Sequence, residues 1–339
     1  MGRTERLRLI RNIEKERESR VLVYITGDRK GLETKISTDA FPFILNHLSK
    51  FGAAGRIDLY VYSTGGITMA GYALVNLIRE FCEAFNVIIP FKALSCATLI
   101  TLGANEIVMT KMGQLSPIDP SVTSPFGPQI AVPGQPGASN VIPLSAEDVV
   151  GYLDFGTKEL GLGEDKDLVA RVFDRMSQAV HPLALGSVNR VRGQIVFLAK
   201  KLLSQHMQDT AKIDEIVETL YRGRFSHDYL MGRKEAKEVG LPVVDVATSL
   251  DNQIIQLYRE YDRLLELSVP YNPEASLNKK DKAIGVFNRA IIESDDLTHV
   301  FRTTKEIERV TLTPPQVPSP TAGYLERIME ELWILDNSI

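Results

Sequence analysis

The chain has 339 residues, 44% of them hydrophobic and 24% charged, with a formal net charge of −4. That length and balance suit a globular protein of one large domain with additions or of two domains. It gives no electrostatic footprint for nucleic acid, so no nucleic-acid partner is expected. The two cysteines, Cys82 and Cys96, lie in apolar stretches and form no disulfide framework. With the five histidines they show no metal-ligand spacing, so neither a metal nor another cofactor is expected. The opening "MGRTERLRLIRNIEKERESR" is highly charged and lacks the apolar core of a secretory signal. Arg6 stands where a myristoylation signal needs serine or threonine. The most apolar stretch, residues 86–110, is broken by Pro90, Lys92 and Glu106, so no transmembrane segment is expected. A cytoplasmic enzyme or binding protein is the starting expectation.

Residues 3–19 read as a helix with Leu7, Leu9, Ile10 and Ile13 on its apolar face. "RVLVYITGD" reads as a buried strand. "DAFPFILNHLSKF" reads as a helix with Asp39 as its N-cap. "RIDLYVYSTGG" is a strand closed by a turn. In "ITMAGYALVNLIREFCEAF", Met69, Ala73, Leu74, Leu77, Ile78 and Phe81 recur at helical spacing. "NVIIP" is a third strand, "SCATLITLGA" a short helix of small residues, and "EIVMT" a fourth strand. Alternating strands and helices predict an α/β domain with a largely parallel sheet. Residues 121–144 are rich in Pro, Gly and Ser and read as a loop. At that length a loop is usually functional or disordered, and this one is expected to border a substrate path or an oligomer contact. Helical patterns fill 145–222. "SHDYLMGRKEAKEVGLPVVD" reads as turn, helix, glycine stop and strand, and "SLDNQIIQLYREYDRLLEL" as a long amphipathic helix. Two β-branched stretches, "DKAIGVFNRAIIES" and "LTHVFRTTKEIERVTL", predict strands. "TPPQVPSPTAG" reads as a linker and "YLERIMEELWILDN" as a final amphipathic helix.

The chemistry concentrates in two turns. In "VYSTGGITMAGY", two glycines lie between a strand and a helix, where bare backbone N–H groups can receive an anion or a developing oxyanion. The phosphate-binding patterns G-x-x-x-x-G-K-[ST] and G-x-G-x-x-G are both absent. In "ALSCATLITLGA", Ser95 stands between a strand and a helix. It could be a plain N-cap, or an exposed nucleophile with the Cys96 N–H beside it.

The path strand, "STGG", helix, strand, "LSCAT", helix, strand, "LSPIDP" resembles the Clp protease and signal peptide peptidase superfamily, which shares the crotonase-type spiral fold. The resemblance covers residues 20–120 and resumes at "HDYLMGRKEAKEVGLPVVD". It implies Ser95 as nucleophile and Gly65, Gly66 and Cys96 as an oxyanion hole. The lysine base of the signal-peptide-peptidase class has no counterpart, since no lysine occurs from 112 to 157. The Clp-type histidine aligns with Asp119 of "IDP". The Clp-type aspartate aligns with Asp228, whose neighbour is His227. Acid and base would thus have exchanged places, giving the order Ser95, Asp119, His227. A triad is defined by geometry and roles rather than by order. With "LSPIDP" and "SHDY", the chain closely resembles the serine dehydrogenase proteinase family, a cytosolic branch of the superfamily.

The resemblance implies a serine endopeptidase acting on peptides or unfolded polypeptides through an acyl-enzyme, and a homo-oligomer with helices 145–222 as candidate contact surface. It implies three regions: an N-terminal helix over 1–19, a Clp-like core over 20–246 carrying the mobile loop 121–144, and a C-terminal helix and α+β extension over 247–339. Alternatives remain. His181 could be the base and Asp228 the acid. The fold could also serve a crotonase-type acyl-CoA hydratase or hydrolase, or a non-catalytic oligomeric scaffold.

Overall fold

The computed structural model describes residues 2–118, 121–131, 139–221, 228–312 and 321–339. They divide into two compact units, Met1–Leu115 with Leu230–Ile339, and Ser116–Tyr229. In chain order the first unit opens with α1 (Arg3–Arg17), β1 (Arg20–Thr26), α2 (Phe41–Phe51), β2 (Ala54–Tyr62) and α3 (Thr68–Arg79). There follow β3 (Cys82–Ile89), β4 (Lys92–Ala93), α4 (Cys96–Thr101), β5 (Glu106–Met109) and β6 (Gln114–Leu115). The second unit contains β7 (Ser121–Val122), β8 (Gln129–Ala131), β9 (Ser139–Val141), β10 (Leu144–Ser145), α5 (Ala146–Asp154), α6 (Lys166–Ala179), α7 (Pro182–Leu203) and α8 (Thr210–Tyr221). The first unit resumes with β11 (Met231–Gly232), α9 (Arg233–Val239), β12 (Val243–Val244), α10 (Thr248–Leu265), α11 (Pro273–Leu277), β13 (Lys282–Glu293), β14 (Thr298–Leu312) and β15 (Thr321–Leu335).

The predicted α/β class is what the first unit shows. Its sheet has eight strands in the order β12-β5-β3-β2-β1-β13-β14-β15. The five from β12 to β1 run parallel, and β13, β14 and β15 continue the sheet antiparallel. The parallel strands are near-continuous hydrophobic runs, as strands covered on both faces must be. Val21 to Ile25 and Leu59 to Tyr62 are all buried. Helices α1 and α10 supply Leu9, Ile10, Ile13, Ile254, Leu257 and Tyr261 to the same apolar cluster as β1 and β2. The segment beyond 247 shares the sheet directly, because β13 pairs with β1.

Several elements differ from the sequence expectation. The final segment is the strand β15, not a helix. Its apolar residues recur at helical spacing, but fourteen register pairs with β14 outweigh that local preference. Helix α3 stops at Arg79, and β3 begins at Cys82 because the ladder with β2 opens there, Ala54 opposite Cys82. Asp39 does not cap α2. A 3-10 turn, Thr38–Ala40, precedes the helix, and the Asp39 carboxylate accepts the Trp333 indole N–H at 2.7 Å. The stretch 121–144 is not plain loop among its described residues. It holds two short antiparallel pairings, β7 with β10 and β8 with β9.

Candidate active site

The strand-to-helix turn after β2 is organised by a residue the sequence reading passed over. Ser63 is fully buried, and its Oγ accepts from Thr26 Oγ1 at 2.7 Å and from the Gly65 N–H at 3.0 Å. The same hydroxyl lies 3.1 Å from the Gly65 carbonyl oxygen and donates to it. Its backbone is equally committed, with Ser63 N donating to the Lys92 carbonyl at 2.9 Å and Leu94 N donating to the Ser63 carbonyl at 3.0 Å. One side chain therefore fixes the "STGG" turn and the 92–95 segment against each other. The available signal was a serine two residues before a glycine, the local side-chain-to-backbone pattern of a serine turn.

Both glycines are dictated by space. Gly65 has φ 118°, and a Cβ there would lie 2.9 Å from Ser95 Cβ and 3.3 Å from Ser95 Oγ. A Cβ on Gly66 would lie 2.2 Å from the Ile36 carbonyl oxygen. That contact is tight because residues 36 and 66 form a parallel bridge, with Ile36 N donating to the Gly65 carbonyl and Ile67 N to the Ile36 carbonyl, both at 2.9 Å. The Gly65 N–H is thus spent on Ser63, which narrows the expected oxyanion donors to Gly66 and Cys96. The Cys96 N–H stands at the first position of α4, where helix geometry provides no partner.

Ser95 precedes α4 with φ 52° and ψ −113°, a region that non-glycine residues seldom enter. It makes no side-chain capping bond to the helix, so the N-cap role does not account for it. Thr98 Oγ1 donates to the Ala93 carbonyl at 2.7 Å and ties the first turn of α4 to the strand before Ser95. Cys96 beside it is 3% exposed, and its thiol donates to the Ile67 carbonyl at 3.3 Å. Burial pushes that thiol up to about 12, so it stays protonated and is no rival nucleophile. Lys92, the cation nearest Ser95 in sequence, holds Asp28 with Nζ 2.6 Å from Oδ2, and Tyr62 donates to the other carboxylate oxygen at 2.7 Å. Lys92 is thereby engaged as an ion-pair partner.

Asp119 and His227 lie outside the described residues. His181, within the second unit, is the N-cap of α7, with Nδ1 accepting the Leu183 N–H at 3.2 Å. Its ring stacks on Phe126 at 4.7 Å between centroids. Asp228 is exposed in the same unit. Among the described residues no cluster of His, Cys, Asp and Glu could hold a metal ion, and no helix is long and apolar enough to cross a membrane.

Residues 2–132 match the family of ClpP-like SDH-type serine proteinases, so the resemblance read from the motifs holds there. Two uncharacterized proteins of Methanocaldococcus jannaschii are each 25% identical to the chain. One aligns over 76% of this chain and 78% of its own length, the other over 80% and 84%. Among solved structures, the S97A mutant of the 1510-N membrane-bound stomatin-specific protease aligns at 13% identity and TM-score 0.38, covering 68% of this chain and 83% of its own. The ClpP protease catalytic domain of Plasmodium falciparum aligns at 12% identity and TM-score 0.32, covering 69% of this chain and 88% of its own.

Proposed function

We propose that the protein is a serine peptidase that cleaves peptides or unfolded polypeptides through an acyl-enzyme. The observation that carries this reading is Ser95 itself: a positive-φ serine at a helix start, its hydroxyl not used as a cap, packed against Gly65. Ser95 Oγ attacks the scissile carbonyl carbon as its proton passes to His227. The Gly66 and Cys96 N–H groups receive the negative charge on the carbonyl oxygen, each donor worth roughly 3 kcal/mol in the transition state. His227 then gives the proton to the leaving amine, and Asp119 orients the imidazole and stabilises its cation. Water, activated by the same histidine, hydrolyses the acyl-enzyme and restores Ser95. The chemistry calls on no metal and no cofactor. A cytoplasmic site of action and self-assembly belong to the same proposal.

The test is covalent labelling. A fluorophosphonate probe should modify Ser95 in the wild-type chain. Ser95→Ala should lose the label, and its peptide hydrolysis should fall by about 10⁴ or more. Wild-type turnover in Ser95→Ala would end the reading.

A further inference from the structure

β15 closes the eight-stranded sheet, and among the described residues it has a neighbour on one side only. The strand is 15 residues long and contains neither proline nor lysine, the residues that usually blunt such an edge. It also bares apolar side chains: Leu325 and Ile328 are 57% exposed, Met329 55% and Leu332 38%. On the same sheet extension Ile284 and Val286 of β13 are 67% and 59% exposed. Register places these two opposite Glu306 and Thr304, and Leu325 and Leu332 opposite Glu308 and Arg302. All four therefore share one face of the sheet, since alternate residues of β14 point the same way.

We propose that this edge is closed by β15 of a second copy of this chain, running antiparallel about a two-fold axis and joining the two sheets. A two-fold axis between antiparallel edge strands stands perpendicular to the sheet, so paired residues must share a face. In an unbroken strand such pairs lie an even number of residues apart. β15 is not unbroken: Glu330 opposes Thr304 and Ile328 opposes Lys305, leaving Met329 as an extra residue that shifts the alternation. With the axis between Ile328 and Met329, the faces match across the bulge. Arg327 then meets the second copy's Glu330, Leu325 meets Leu332, and Tyr324 meets Trp333, each pair formed twice. Arg327 and Glu330 are both exposed, and among the described residues neither has an ion pair within its own chain. The one like-charge pairing, Glu326 with Glu331, joins carboxylates already neutralised, Glu326 by Lys305 at 3.0 Å and Glu331 by Arg289. The strand is thus complementary to itself in both charge and apolar contact. This proposal does not depend on the hydrolase reading.

The test is the mass of the full-length chain in solution by sedimentation, with charge variants. The wild type should sediment at twice the chain mass or an even multiple at micromolar concentration. Arg327→Glu and Glu330→Arg should each weaken association by on the order of tenfold or more, because two attractive pairs become two repulsive ones. The double exchange Arg327→Glu with Glu330→Arg should restore it. Arg327→Gln, a milder change on an exposed position, should fall between, and thermal unfolding of each variant confirms that it is folded. Ser95→Ala should leave the mass unchanged, which separates this outcome from the fate of the peptidase. A wild type that remains a single chain, single reversals without effect, or a double exchange that fails to restore association would each overturn the proposal.

Discussion

Ser95 holds a backbone conformation that costs a non-glycine residue roughly 1–3 kcal/mol, and the surrounding hydrogen bonds must hold it there. The bonds in question are those of Ser63, Thr26 and Thr98, none of which touches Ser95 directly. In a reaction that begins with attack by Ser95 Oγ, the base decides the rate. His227→Ala should therefore lose about 10⁴ or more in kcat, and Asp119→Asn should be strongly impaired. His181→Ala and Asp228→Asn should be mild by comparison, because His181 already has an occupation as the cap of α7 and the partner of Phe126. If His181→Ala is the inactive variant, the conventional order with Asp228 replaces the exchanged one. The strand-to-helix placement of Ser95 and the glycine pair was legible in the sequence, but each alone also fits an N-cap or a tight turn, so their proposed roles rest on the combined motif resemblance. Ser63 was legible only in part: its spacing to Gly65 marks a local serine turn, but its ties to Thr26 and Lys92, far apart in sequence, are revealed by no local pattern.

Among elements, the parallel half of the sheet was readable because its strands are hydrophobic throughout and its helices amphipathic. β15 was misread for an equally physical reason. Leu325, Ile328, Met329, Leu332 and Leu335 have helical spacing, and in the strand they stay exposed instead of lining one buried face. The contact of α2 with the extension shows what that sheet contributes. His47 of α2 and His299 of β14 are buried, with His47 Nε2 2.9 Å from His299 Nδ1 and His47 Nδ1 2.7 Å from Ser294 Oγ. One imidazole N–H donates to the other ring's bare nitrogen, so the pair is built for neutral rings. Burial, with His299 alongside, brings His47 down to about 3, and burial also lowers His299. A histidine whose folded pKa lies below its unfolded value of about 6.5 takes up protons more readily when unfolded. Its contribution is intact above that value and is lost as pH falls below it. His47 alone should take about 2 kcal/mol from stability between pH 6.5 and 5. Urea denaturation at several pH values should show this, and His47→Gln should flatten the curve by about that amount. Parallel curves for the two proteins would show that the pair does not titrate with folding.

At the scale of the molecule, α1 and the C-terminal sheet extension meet at one buried ion pair in the first unit. Arg6 and Glu293 are 2% and 0% exposed. The Glu293 carboxylate accepts from Arg6 Nε at 2.7 Å, Arg6 Nη2 at 2.9 Å, Tyr261 Oη at 2.6 Å and Thr298 Oγ1 at 2.7 Å. Arg6 Nη2 also donates to the backbone oxygen of Ile339 at 2.9 Å. Helices α1 and α10, far apart in sequence, thus converge with the β13–β14 hairpin on one carboxylate. Burying two charges is expensive, and their attraction largely repays that cost, so the intact pair adds little net stability. Breaking it is different. Glu293→Ala leaves the Arg6 guanidinium buried without a counter-charge, which should destabilise by roughly 3–5 kcal/mol. Arg6→Met strands the carboxylate in the same way and should cost a similar amount. The double variant Arg6→Met with Glu293→Met leaves no unpaired charge, although Tyr261, Thr298 and Ile339 each lose a partner. It should therefore be more stable than the sum of the two single losses by on the order of 1–3 kcal/mol. Urea titrations of the four proteins measure that coupling, and strictly additive losses would mean that water reaches the pair and the charges are not buried in solution.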